Sequence, residues 1–200
     1  MMHRTAPRPA PLAGTARAAA CAVALAALAA ALPAPATAQP PTLLPVPRVD
    51  PQRYAGTWYE VARLPNRFQT QCAGDVVATY APRPDGTIDV TNRCRTESGA
   101  LDVAGGHATP QDPTNAKLRV SFLPAGLRWL PFARGDYWVL ALDDDDRWAM
   151  VGAPSRDFLW ILARQPMLTE DEFGTLLGQA REMGFPADKV VRTPHRAPPR

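Results

Sequence analysis

Histidine and cysteine are scarce in this 200-residue chain, with three of each. Beyond residue 38 only His107, His195, Cys72 and Cys94 remain. The sequence therefore contains no H-E-x-x-H metal helix and no C-x-x-C redox pair. A G-x-S-x-G nucleophile turn and a glycine-rich phosphate loop are missing as well. These absences exclude the hydrolase and redox classes that depend on such sets, so the chain reads as a non-enzyme with no cofactor and no metal.

Long apolar runs are equally rare, and the one present lies near the start. Arg4, Arg8 and Arg17 precede the alanine- and leucine-rich run Ala18 to Leu32, and Ala36-Thr37-Ala38 follows it. A basic start, an apolar stretch and an A-x-A site form a secretory signal, with cleavage expected near Ala38. The run is short and alanine-dominated, which argues against a membrane span. Cys21 stands near the start of the run instead of after it, so lipid attachment there is not expected. The mature protein is thus expected in the periplasm or outside the cell.

No charge excess survives that cleavage. The 22 basic residues lose three arginines, leaving 19 against 19 acidic ones. A neutral domain gives no reason to expect nucleic acid or an anionic surface as partner. The remaining cysteines, Cys72 and Cys94, are an even pair in an oxidising compartment, which favours a disulfide. Pro84-Asp85-Gly86 lies midway between them, where a hairpin would bring the two together. A free, reactive cysteine is the alternative.

What is plentiful is proline and short strand-like runs. Residues 39–49 form a proline-rich arm, and Val49 to Tyr54 a helical turn. Eight runs then alternate with turn residues: Thr57–Arg63, Asp75–Ala81, Thr87–Arg95, Ala100–Gly106, Ala116–Phe122, Asp136–Asp143, Arg147–Gly152 and Asp157–Ala163. Leu118, Val120 and Phe122 alternate with Lys117, Arg119 and Ser121, as a strand with one wet face requires. The only long helical pattern comes last, with Thr169 and Glu172 at capping-box spacing and Leu168 placed to staple onto Phe173. Its stripe of Phe173, Leu176, Leu177, Ala180 and Met183 is expected to pack on the outside of a sheet. Asp143 to Asp146 lacks the ligand spacing of a calcium loop and reads as a solvated hairpin turn.

These residues carry a resemblance. Gly56-Thr57-Trp58-Tyr59-Glu60, with the Asp50–Tyr54 turn before it and Val61-Ala62-Arg63-Leu64-Pro65 after it, resembles the first signature of the lipocalins. It is most similar to the bacterial lipocalin and apolipoprotein D branch. Leu140 to Trp148 occupies the place of the second signature, although acidic residues replace its usual pattern. Arg164 after Leu159-Trp160-Ile161-Leu162 fits the third. The resemblance implies an all-β fold: an eight-stranded antiparallel up-and-down barrel over residues 50–195, with a C-terminal α-helix on its outside and residues 196–200 left as a disordered tail. It also implies that Trp58 and Arg164 form a structural plug at the closed end.

Strand parity then assigns a lumen. If Arg164 points inward, so do Leu162, Trp160 and Phe158; the neighbouring strands contribute Leu118, Val120 and Phe122, and Tyr137, Val139 and Ala141. Ala62, Ala78, Ala141 and Gly106 are expected to leave room, and Tyr137, Asn92 and Glu60 are the candidate polar contacts. The expected ligand is a small hydrophobic or amphiphilic molecule, such as a fatty acid or lysophospholipid. Leu127, Trp129, Leu130 and Phe132 make the connection after the fifth strand too apolar for a simple turn. It is expected to act as a lid, a membrane contact or a homodimer contact. An enzyme using a free cysteine and a protein-interaction module are the alternative functions.

Overall fold

The computed structural model describes residues 41–127 and 134–196. The signal segment with Cys21, the loop residues Trp129, Leu130 and Phe132, and tail residues 197–200 lie outside the described residues. A short helix α1 (Pro51–Tyr54) leads into β1 (Gly56–Arg63), β2 (Cys72–Pro82), β3 (Ile88–Thr96), β4 (Leu101–Pro110), β5 (Lys117–Ser121), β6 (Gly135–Leu142), β7 (Trp148–Gly152) and β8 (Leu159–Ala163). Helix α2 (Glu170–Glu182) and a short ninth strand, β9 (Val191–Arg192), complete the order.

Each strand from β1 to β8 pairs antiparallel with the next, and β8 pairs back onto β1, so the sheet closes into a barrel. All eight predicted strands are present, with ends moved by a few residues. The turns follow from local chemistry. Asp50 accepts a hydrogen bond from the Gln52 amide at 2.8 Å and starts α1 with Pro51 in its first turn. Gly56 then takes φ +89°, a left-handed conformation that side chains resist. At α2 both halves of the Thr169–Glu172 capping box are formed.

Two apolar layers result. One lies between the barrel wall and α2, where Val61, Leu140, Met150, Leu159 and Ile161 meet Phe173, Leu176 and Ala180. The other fills the lower lumen with Trp58, Tyr80, Val90, Leu118, Val139, Val151 and Leu162. The helix stripe thus packs on the outer wall as its spacing predicts, with Leu168, Leu177 and Met183 against the same layer.

Two β-bulges correct the parity argument. Pairing shifts between Val139 and Ala141, so Leu140 and Ala141 both face the helix and Leu142 returns to the lumen. Ala141 therefore makes no room inside. A second shift, between Glu60 and Ala62, turns Ala62 to the outer layer as well. Gly106 does face inward, but its space is filled: an added Cβ would lie 2.7 Å from the Phe122 ring. Of the four small residues, only Ala78 and the covered Gly106 face the lumen.

Candidate functional site

The closed end is built around Trp58, which is fully buried. Its indole nitrogen donates to the Tyr54 carbonyl at 2.8 Å, and the Arg164 guanidinium lies 3.9 Å from the ring centroid. Arg164 also donates to the carbonyls of Arg53, Ala55, Thr57 and Asp146. One side chain thereby ties α1, β1 and the β6–β7 turn together. Burial lowers the Arg164 pKa, yet a guanidinium keeps its charge. The acidic turn joins the same base: Asp143 is held by Arg147 at 2.8 Å, and Asp146 by Arg53 at 2.7 Å.

Above this floor stands a chain of phenols. The Tyr137 hydroxyl lies 2.9 Å from the hydroxyls of both Tyr54 and Tyr80. Burial raises the pKa of all three, that of Tyr80 to about 12, so each keeps its proton at neutral pH. Asn92 shares the lumen face of β3 with Val90, and its buried Oδ1 has no hydrogen-bond partner. Higher still, Phe158 stacks on Trp160 with 5.9 Å between centroids, and Phe68 packs on Phe158 at 5.5 Å.

The mouth on this side is fastened through Glu60, which is only 3% exposed. Its Oε1 accepts from Arg63 at 3.0 Å and from Thr193 at 2.6 Å, while Oε2 accepts from Gln69 at 2.6 Å. The Gln69 amide oxygen accepts in turn from the Trp160 indole at 2.9 Å. Glu60 is thus an inward carboxylate with both oxygens engaged by the protein. Its neighbour on the seam is the C-terminal segment. β1 pairs with β2 only from Gly56 to Tyr59, and β9 adds to β1 beyond that point. Thr193 N donates to Val61 O, and Asp75 N donates to Pro194 O, so the segment bridges the two strands. A Cβ at Gly74 would lie 2.5 Å from Pro194 O, which explains a glycine there. His195 contacts the Glu60 carbonyl at 2.8 Å and the Tyr59 ring edge.

Asp75 anchors this strap. Burial pushes its carboxyl up, but hydrogen bonds from the Arg196 amide, Arg95 and the Arg196 side chain outweigh that and hold it at about 2. Because the folded value is depressed, the contact stabilises above the ordinary value of 3.8 and is lost as pH falls through about 2. Amide exchange at Thr193 is therefore expected to accelerate between those two pH values in the wild type. In Asp75→Asn it is expected to be fast throughout that range.

Of the residues assigned to the lumen by sequence, Leu118, Val139 and Leu162 are buried in its lining, and Val120, Tyr137 and Trp160 pack against them. Phe158 sits at the mouth rather than within. Tyr54, Tyr80, Gln69 and Thr193 were not anticipated. Parity on β2 could have found Tyr80, two positions from Ala78; nothing local marks the other three. Cys72 and Cys94 are joined, with 5.6 Å between their Cα atoms, so neither is a free nucleophile. Two depressions of about 200 and 390 Å³ lie outside the lumen. One is on the β4–β5 outer wall around His107, Arg119 and Ser121, the other at the base around Arg48, Arg53 and Asp144. No helix among the described residues is long and apolar enough to cross a membrane.

A closed-base antiparallel barrel with an inward apolar lining and a helix on its flank defines the calyx class of binding folds. Residues 49–195 match the family described as Lipocalin-like domain, and the chain belongs to the lipocalins. It is 41% identical over 151 residues to temperature-induced lipocalin-1 of Arabidopsis thaliana, covering 74% of this chain and 80% of that protein. It is 39% identical over 144 residues to outer membrane lipoprotein Blc of Escherichia coli K12, covering 71% and 77%. Insecticyanin from the tobacco hornworm shares the fold at 20% identity, with a TM-score of 0.60 over 79% of this chain and 87% of that one.

Proposed function

We propose that the lumen holds one small hydrophobic or amphiphilic molecule, a fatty acid, lysophospholipid or similar single-chain lipid. The observation that carries this reading is a gradient of access. Trp58, Val90, Val139 and Leu162 at the floor are buried, whereas Ala78, Val120, Tyr137 and Trp160 on the same lumen face are only half-buried. A chain entering from the mouth would meet Trp160 and Phe158 first, then Val120, Leu118 and Val139. Tyr137 and Asn92 are the polar contacts proposed for it, while Glu60 holds the mouth together. Each buried methylene contributes about 0.8 kcal/mol, offset by the freedom the ligand loses.

The expected result is saturable binding of one equivalent of a fluorescent fatty acid, with a dissociation constant on the order of 1 μM. Trp160→Ala is expected to weaken it several-fold. Absence of saturable binding overturns the reading. Cleavage near Ala38 would release the domain into the periplasm or medium, for lipid carriage or envelope maintenance.

A second reading concerns the rim. Phe68, Leu101, Phe122 and Leu127 are exposed apolar residues near the open end, which supports a membrane or homodimer contact there. Sedimentation at rising concentration and flotation with vesicles separate the two contacts. A monomer that ignores vesicles contradicts both.

A further inference from the structure

The phenol chain leaves a proton over. Three hydroxyls carry three protons, and the two bonds among Tyr54, Tyr137 and Tyr80 use two of them. Whichever way those bonds run, one O–H remains, and among the described residues no other group accepts from it. When Tyr54 donates to Tyr137 and Tyr137 to Tyr80, that O–H is on Tyr80, which neighbours the complementary lack. Asn92 Oδ1 is a buried acceptor with no donor. Tyr80 pairs with Val90, and Ala78 with Asn92, so Tyr80 and Asn92 are diagonal neighbours on one lumen face. They do not bond each other.

We infer that this deep cluster recognises a hydroxyl-bearing head group, alcoholic or un-ionised carboxylic, on a chain that enters the lumen head first. The inference rests on the binding reading above and adds the orientation and the head-group class. A hydroxyl both accepts from the spare phenol and donates to Asn92 Oδ1, so it completes both groups at once. An ester accepts but cannot donate, and leaves Asn92 Oδ1 unpaired. A carboxylate cannot donate either, and would bring a charge to a floor whose cation, Arg164, is spent on four carbonyls. A quaternary ammonium has no proton to give and finds no anion there. The mouth supplies no competing anchor through Glu60, both of whose oxygens are engaged.

The test is displacement of lumen-bound N-phenyl-1-naphthylamine by dodecan-1-ol, methyl dodecanoate and dodecanoic acid, on the wild type and Asn92→Leu. The alcohol is expected to bind about tenfold more tightly than the ester, as the loss of one satisfied buried pair implies. That advantage is expected to shrink towards unity in Asn92→Leu, which removes the acceptor that only the alcohol can satisfy. The acid is expected to lose ground to the alcohol as pH rises through its own pKa. An alcohol-to-ester ratio near unity in the wild type, or one preserved in Asn92→Leu, overturns the proposal and leaves water as the occupant of the cluster. Failure of every probe and competitor to bind overturns the lumen reading itself, which is a distinct result.

Discussion

Trp58→Ala is expected to destabilise the protein by about 3–5 kcal/mol, the range for truncating a large buried aromatic. The Trp58 ring is fully buried, packs on Tyr54 at 4.7 Å between centroids and carries Arg164 on its face at 3.9 Å. Truncation removes the transfer energy of the indole, opens a cavity and leaves the Tyr54 carbonyl without its donor. It also removes the ring that receives the Arg164 charge, a contact worth about 1–2 kcal/mol where desolvated. Urea unfolding followed by the remaining tryptophans measures the change. Arg164→Met is expected to cost less, because the guanidinium edge is only part-buried and water can replace it on the outer carbonyls. A loss below about 1 kcal/mol for Trp58→Ala contradicts the plug described here.

Removing the Cys72–Cys94 bridge is the other large effect. The bond joins the start of β2 to the end of β3 across a separation of 22 residues, which the chain-entropy account converts to roughly 3 kcal/mol. For a domain of this size that lowers the melting temperature by about 6–12 °C. The double variant Cys72→Ala/Cys94→Ala, or wild type under reductant, should show it by differential scanning calorimetry. The consequence extends beyond the loop. Register is irregular between Cys72 and Val77, where β2 leaves β1, and Arg95 and Asp75 beside the bridge hold the C-terminal strap. Faster amide exchange at Thr193 in the double variant is therefore expected along with the lower melting point. Unchanged melting under reductant contradicts a stabilising role.

The strands and the helix were legible because each has a local signature, alternation for the one and a capping box for the other, whereas the plug was legible only through the resemblance that the segments around Trp58 and Arg164 carry. Lumen membership was legible only while alternation held. One residue inserted at Leu140 and another at Val61 reversed the facing of Ala141 and Ala62, and no composition signal announces a bulge on a strand apolar on both sides. The Glu60 network was hidden for a different reason. Its partners Gln69 and Thr193 come from a loop and from a segment over a hundred residues away, brought together only once the seam between β1 and β2 is filled. Isolated polar residues in such segments look like surface until the topology assigns them. The phenol chain combines residues of α1, β2 and β6, and only Tyr137 was singled out by its own strand.

The claim that this barrel holds its ligand in the lumen is tested most directly by methyl resonances. The two apolar layers supply inside and outside reporters in one molecule. On titration with dodecan-1-ol, the methyls of Leu118, Val120, Val139, Val151 and Leu162 are expected to shift and saturate together, because they line the lumen. Those of Leu140, Leu159, Ile161 and Leu176, under the helix, are expected to stay nearly still. Shifts confined to the outer layer, or to rim residues such as Leu101 and Leu127, would contradict the account.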